Sequence, residues 1–327
     1  MQTPLFSVVI PTYQRLQKLA QCLGSLVHQT CAPDDYEVIV VDDAAMRDDV
    51  ARITATVALR RCRLLSQERL GAASARNAGA RAARGRLLAF TDDDCQPAPD
   101  WLERLAQRLS AEGDTALLGG RVVNTLTTDP FASASQALVD FLCEQFNQHE
   151  SQAPLLTSNN LCVPSVAFRD IGGFDTTFAG AGGEDREFCL RWARAGLRSH
   201  YAPEAVVHHA HDMTLSGFLR QHYAYGRGAA WLRQRALVHG YGPVSLERAS
   251  FYWQLLRYPL RACAPGARVQ QSTLFVLSQV ANAAGYFHVR MRGPRVSGAM
   301  APLPATPARA PIDLPDATAP PETPPRI

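Results

Sequence analysis

The sequence predicts an α/β fold built on a mostly parallel sheet with helices on both faces. Three observations predict it. Short apolar runs alternate with helix-period segments through the first half of the chain. Those runs are close to continuously apolar, as strands covered on both faces are. Polar clusters follow them, at the strand ends where such sheets bind ligands.

Phe6-Ser7-Val8-Val9-Ile10 is the first strand and stops at Pro11. Leu16, Leu19, Ala20, Leu23, Leu26 and Val27 then recur at helical spacing. Tyr36-Glu37-Val38-Ile39-Val40-Val41 is a β-branched run closed by Asp42-Asp43. Residues 61–66 fit a third strand, 71–83 a helix, and Arg86-Leu87-Leu88-Ala89-Phe90 a fourth strand closed by Thr91. A helix over 101–109 follows Pro97, Pro99 and Asp100. The second half is less regular: a strand over 116–123, a helix over 130–146, a segment 165–174 running into a Gly-Gly-Phe-Asp turn, and a helix over 184–196 closed by its glycine. Beyond residue 213 the pattern is helical and arginine-rich; from 293 prolines crowd a stretch too poor in large apolar residues to fold. The expected organisation is a domain over 1–212, a helical C-terminal region over 213–292 and a disordered Pro-rich tail over 293–327.

Bulk properties exclude some classes. A net charge of +3 over 327 residues gives no argument for nucleic acid. None of the eight cysteines is paired as C-x-x-C, which predicts buried thiols in a reducing compartment. The first residues lack the basic flank and long apolar core of a secretion leader. The most apolar long stretch, 272–289, is interrupted by Gln279, Asn282 and His288, so no membrane span is expected. These points predict a cytoplasmic protein.

Asp92-Asp93-Asp94 carries the strongest chemistry. Three carboxylates at a strand end repel one another and are costly to desolvate. A divalent cation, Mg²⁺ or Mn²⁺, relieves both costs. Alternation along an extended chain puts Asp92 and Asp94 on one side, with Asp93 turned away unless a turn intervenes, and Asp93 is expected to tolerate replacement. The alternative is a solvated acidic turn. Asp42-Asp43 can accept hydrogen bonds from a nucleoside or simply close a turn. The small-residue segment 71–79 allows close backbone approach, and its Arg76 can reach a diphosphate or rest in solvent. Glu184-Asp185, after a glycine run at 180–183, opens a helix; Asp185 is either a general base or a helix-terminal charge. His208-His209, with His211 nearby, offers one imidazole that can complete a metal site, although a lone histidine is more often structural and His209 and His211 fit surface positions equally well.

The ordered set Pro11-Thr12-Tyr13, Val41-Asp42-Asp43, Ala75-Arg76-Asn77-Ala78-Gly79, Thr91-Asp92-Asp93-Asp94, Gly172-Gly173-Phe174-Asp175, Gly183-Glu184-Asp185 and Val207-His208 resembles the family 2 glycosyltransferases of GT-A fold, over about residues 5–212. The resemblance implies an inverting transfer of sugar from a nucleoside-diphosphate-sugar to a hydroxyl on a glycan or lipid-linked acceptor, serving polysaccharide or cell-envelope synthesis. Pro11, Thr12, Tyr13, Asp42 or Asp43, and Arg76 would hold the nucleoside. Asp92 and Asp94 would match the ends of the D-x-D motif, with Asp93 between them and Asp94 on the metal. Glu184 and Asp185 would match the E-D motif, Asp185 being the base. His208 would match a late metal-ligating histidine. Asn159, Asn160 and Trp192 would face the acceptor. Ala44-Ala45 departs from the usual Gly-Ser.

Two other readings remain at this point: a sugar nucleotidyltransferase, for which no basic glycine-rich loop is visible, and a catalytically silent glycan- or nucleotide-binding module. The region 213–292 admits three roles: a subdomain closing over the acceptor, a plain packed extension, or peripheral contact with an anionic membrane at the inner face of the plasma membrane.

Overall fold

Val8, Ile10, Val38 and Val40 face one apolar layer, while Val9, Ile39 and Val41 face the other. This is why the strand runs are apolar at nearly every position, with the buried Ser7 donating to Glu37 (2.7 Å). A computed structural model of the chain describes residues 3–112, 115–147, 153–178, 182–238, 240 and 247–292. The expected disordered tail lies outside the described residues, as do Gly180 and Ala181 of the glycine run.

The strands are β1 (Phe6–Thr12), β2 (Tyr36–Asp42), β3 (Cys62–Ser66), β4 (Leu87–Thr91), β5 (Cys95–Pro97), β6 (Leu117–Asn124), β7 (Asn160–Pro164) and β8 (Ser199–His209). The helices are α1 (Leu16–Val27), α2 (Arg47–Thr56), α3 (Ala72–Ala82), α4 (Trp101–Glu112), α5 (Pro130–Phe146), α6 (Ser165–Asp170), α7 (Glu184–Arg194), α8 (Leu215–Val238), α9 (Ala249–Ala262) and α10 (Arg268–Arg292). The described strands form one sheet in the order β3-β2-β1-β4-β7-β6-β8-β5. Strands β3, β2, β1 and β4 are mutually parallel, as are β6 and β8. The sheet is mixed beyond β4: β7 runs antiparallel to both β4 and β6, and β5 runs antiparallel to β8.

Register sets the working edge. Thr12 pairs with Asp42, and Asp42 with Ser66, so the carboxyl ends of β1, β2 and β3 are level. Phe90 pairs with Val9, which brings Thr91 and the acidic triplet to the same edge. On one face α1 and α4 bury Leu19, Leu23, Trp101 and Leu105. Each large apolar side chain so buried contributes about 1.5–3 kcal/mol. On the other face the aromatic group Phe90, Phe168, Phe174 and Phe188 packs at 5.1–5.4 Å between ring centres.

α5 leaves the sheet. Asp129 caps it by accepting from the Phe131 and Ala132 amides, with Pro130 in the first turn. Its Leu138 and Phe141 pack on Leu255, Tyr258 and Phe275 of α9 and α10. α8 and α10 approach so closely that a Cβ on Gly226 would stand 1.8 Å from the Asn282 carbonyl oxygen. A Cβ on Gly285 would stand 2.0 Å from the Tyr223 carbonyl oxygen, so the two glycines set this helix spacing.

Candidate functional site

One cavity of about 1010 Å³ opens at the carboxyl edge of the sheet and runs toward the C-terminal helices. Pro11, Thr12, Tyr13, Asp43, Arg76, all three aspartates of the triplet, Asn159, Glu184 and Asp185 line it. Residues far apart in sequence thus share one wall.

The triplet is not extended. Asp93 and Asp94 lie in a turn closed by the Cys95 amide donating to the Asp92 carbonyl (3.1 Å). That turn brings Asp93 inward, against the alternation expected from an extended chain. Its carboxylate is buried, accepts from the Thr12 hydroxyl at 2.8 Å and pairs with the Arg15 guanidinium at 3.3 Å. Burial pushes Asp93 up to about 6; Arg15 and the Thr12 hydrogen bond oppose the rise, while Asp94 adds to it. The expectation that Asp93 points away is therefore corrected: it ties the end of β1 to the triplet.

Asp94 sits among cations. Arg15 reaches it at 2.8 Å, His209 Nε2 at 3.3 Å and His211 Nδ1 at 3.0 Å. The two imidazoles stack with centres 5.4 Å apart. Burial alone would raise the Asp94 carboxyl; hydrogen bonds from both histidines, with Arg15, outweigh it and hold the group well below the usual carboxylate range. The assignment of His208 is corrected. It pairs with Gln96 in the sheet register and points to the opposite side of β8 from His209. The Ala210 amide donates to the Asp94 carbonyl (2.9 Å), fixing the end of β8 on the triplet. Arg15 was missed as well; its signal was a lone basic residue just after the first strand.

A carboxylate with two imidazoles fits a divalent cation with nitrogen and oxygen ligands, a set that suits Mn²⁺ and is less natural for Mg²⁺. The donor atoms of Asp94, Cys95 and His209 lie within 4.8 Å of one another. Cys95 is fully buried in the apolar layer beneath the triplet, and burial pushes its thiol well above its ordinary value.

Asp42 and Asp43 divide their work. The Asp42 carboxylate accepts from the Ala44 amide (2.9 Å) and the Ser66 hydroxyl (3.2 Å), which closes a turn, and it does not line the cavity. Asp43 accepts from the Gln67 side chain and the Leu70 and Gly71 amides at 2.7–2.9 Å, and does line it. Next to them Ala45 adopts a left-handed backbone, φ 54°. That conformation costs a residue with a Cβ about 1–2 kcal/mol.

Arg76 is buried between two acids, donating to Asp92 at 2.6 Å and Glu184 at 3.1 Å. Its Nε is buried without a hydrogen-bond partner among the described residues. Arg76 thereby joins α3, the triplet and the start of α7. Removing it leaves two acids facing each other. Arg76→Met is expected to lose about 3–5 kcal/mol, a fall of roughly 6–20 °C in Tm. An unchanged melting curve would show that the bridge does not hold these elements. Asp185 lies beside Glu184 with its Oδ1 accepting from the Arg186 amide (2.8 Å). Burial, then Glu184, pushes Asp185 up to about 6, with Arg76 opposing.

Two expected acceptor residues belong to the core. The Asn160 side chain is buried, accepts from Trp101 Nε1 (2.9 Å) and donates to the Arg121 and Ala205 carbonyls. It sits on β7, opposite Thr91, so it joins strands instead of facing the cavity. Trp192 is buried against Phe188 and donates to the Arg198 carbonyl (2.8 Å). Asn159 does line the cavity.

Similarity to known proteins agrees with this geometry. Residues 7–170 match the model of glycosyl transferase family 2, and residues 146–212 match a model described as the N-terminal domain of galactosyltransferase. Glycosyltransferase AglE of Haloferax volcanii is 28% identical over 236 residues, 71% of this chain and 76% of that protein. Validoxylamine A glucosyltransferase of Streptomyces hygroscopicus subsp. limoneus is 28% identical over 287 residues, 76% of this chain and 63% of that protein. A mannosyltransferase of Pyrobaculum calidifontis, solved in complex with GDP-Man and Mn²⁺, superposes with a TM-score of 0.64 at 18% identity, covering 88% of each chain. GalNAc-T7, solved with UDP, GalNAc and Mn²⁺, gives 0.54 at 15% identity over 88% of this chain and 56% of that one. The fold is GT-A. With half of its length matched by the family model, the chain belongs to glycosyl transferase family 2.

Proposed function

We propose that the chain moves a sugar from a nucleoside-diphosphate-sugar to a hydroxyl of a glycan or lipid-linked acceptor with inversion, and that Asp185 is the general base. The observation that carries this reading is the placement of Asp185 and the triplet on the same cavity wall, joined through Arg76. Residues 1–212 form the catalytic unit in this reading, with 213–292 closing the acceptor side.

The roles follow from the side chains. Tyr13 and Asp43 border the pocket that takes the nucleoside, and Arg69 stacks over the Tyr13 ring at 4.9 Å. Arg76 lines the cavity and holds Asp92 and Glu184 in place beside the donor substrate. Asp94 with His209 and His211 would hold a divalent cation, Mn²⁺ or Mg²⁺, whose contribution when bound is charge neutralisation on the diphosphate leaving group. Asp185 accepts the proton of the attacking hydroxyl. An ordinary aspartate, near 3.9, is a weak base; raised to about 6, Asp185 is better matched to proton abstraction near neutral pH. A single displacement with one base inverts the anomeric centre.

The test is a panel of nucleotide-sugars with Mn²⁺ and no acceptor, followed by release of nucleoside diphosphate and by NMR of the released sugar. Slow release from one donor, with the anomer opposite to that of the donor, is the expected result. A sugar released with retained configuration refutes inversion, and no release from any donor refutes the transferase role of this site.

A further inference from the structure

The charge of the chain is unevenly distributed. Residues 1–212 contain 20 basic and 26 acidic side chains. Residues 213–292 contain ten arginines and one acid, Glu247. A net charge of +3 for the whole molecule therefore hides an acidic body and a strongly basic helical region.

That region also presents an apolar stripe. On α10, Val269, Val276, Val280, Phe287 and Met291 are 80%, 50%, 61%, 59% and 81% exposed. Their spacing alternates seven and four residues, so at 100° per residue they share an arc of about 60°. The stripe runs about 33 Å along the helix at 1.5 Å per residue. Ala283 and Ala284 fall beside it and are exposed. Thr273 is the polar residue on this arc, and its hydroxyl donates to the Val269 carbonyl (2.9 Å), so its methyl contributes to the surface. α10 carries Arg268, Arg290 and Arg292 and no acid. On α9, Trp253 and Leu260 are exposed, and Arg257 lies over the Trp253 ring at 5.5 Å.

An extended apolar line on an acid-free helix with arginines at its ends suits a helix lying in a bilayer interface. None of the described helices is long and apolar enough to cross a membrane. Charge decides between occupants. A second copy docked stripe to stripe would bring two basic surfaces together, and a nucleic acid would leave the aliphatic line without a partner. An anionic lipid surface satisfies both features. Phe287 and Tyr252, exposed on α10 and α9, also line the cavity that contains Asp185. The stripe therefore meets the cavity edge at Phe287.

We propose that the exposed face of α10, with the exposed Arg257 of α9 and Arg290 and Arg292 of α10, docks the enzyme on an anionic membrane surface and places the cavity edge at Phe287 and Tyr252 against it. This goes beyond glycosyl transfer and is tested apart from it. The full chain is floated with vesicles of phosphatidylcholine and phosphatidylglycerol, with phosphatidylcholine vesicles alone, and at low and high salt. Val276→Asp/Val280→Asp changes two exposed positions outside the cavity. Binding to the anionic vesicles that weakens with salt is expected, with a loss of at least about tenfold in the double variant. Donor hydrolysis and the melting curve of the variant stay as in the parent chain. Absence of binding to anionic vesicles at low salt overturns the proposal, as does equal binding of the double variant. Equal binding to neutral vesicles overturns the electrostatic basis. Concentration-dependent self-association that the variant loses, without lipid binding, assigns the stripe to a second copy. Binding to single-stranded RNA without vesicle binding assigns the face to nucleic acid.

Discussion

Asp185→Asn is expected to lower the rate of sugar transfer by about 10²–10⁴-fold, the usual contribution of a positioned base. Donor binding, measured by calorimetry with Mn²⁺, should be retained. The substitution keeps the shape of the side chain and removes its capacity to accept a proton. It also removes a carboxylate that burial and Glu184 already disfavour, so the variant should melt no lower than the parent chain. Loss of activity then cannot be assigned to unfolding. In the parent chain the sign of the pH dependence is fixed by the raised group: the base form is depleted as pH falls through about 6 and accumulates above it. Activity should rise through that range and level off. A flat profile, or full activity in Asp185→Asn, moves the base to another residue.

Asp94→Ala is expected to abolish metal-dependent donor binding. Asp94 meets Arg15, His209 and His211, so its removal leaves three basic groups around an empty corner. Calorimetry with Mn²⁺ and the donor reads the loss directly, and circular dichroism shows whether the fold survives. His209→Ala should weaken metal-dependent binding by at least about tenfold. His208→Ala should leave it unchanged, because that side chain lies on the other side of β8. Equal effects of the two histidine variants would contradict the geometry, and unchanged affinity in Asp94→Ala would reduce the triplet to a turn.

Local signals carried much of this site. The continuous apolar runs gave β1, β2 and β4, and a helix over 130–146 coincides with α5 because its cap and its first proline are written in adjacent residues. What failed was long-range. β5 is three residues long and ends in a proline, so no periodicity announces it. Its pairing with β8 nevertheless fixes which histidine meets Asp94. The sequence alone could not choose among His208, His209 and His211, since that choice depends on register between distant strands. Asp93 was misjudged because alternation assumes an extended chain and the triplet turns. Asn160 and Trp192 were placed by motif position, while their surroundings are decided by Trp101, Arg121 and Arg198, all remote in sequence. Asp43 was distinguishable from Asp42 only once the loop carrying Leu70 and Gly71 was seen to fold onto it.

The placement of β5 bears on synthesis of the chain. Asp94 and His211 are 117 residues apart, and among the described residues the strand that follows the triplet pairs with β8 alone. A ribosome must therefore deliver both α5 and α7 before the cation corner can close. Until then the nascent polypeptide holds three adjacent carboxylates without their histidines. Such a long separation slows folding, because loop closure precedes the contacts that reward it. On this ordering the corner proposed to hold a cation closes among the last steps of folding, and truncations ending before β8 should emerge from translation without it.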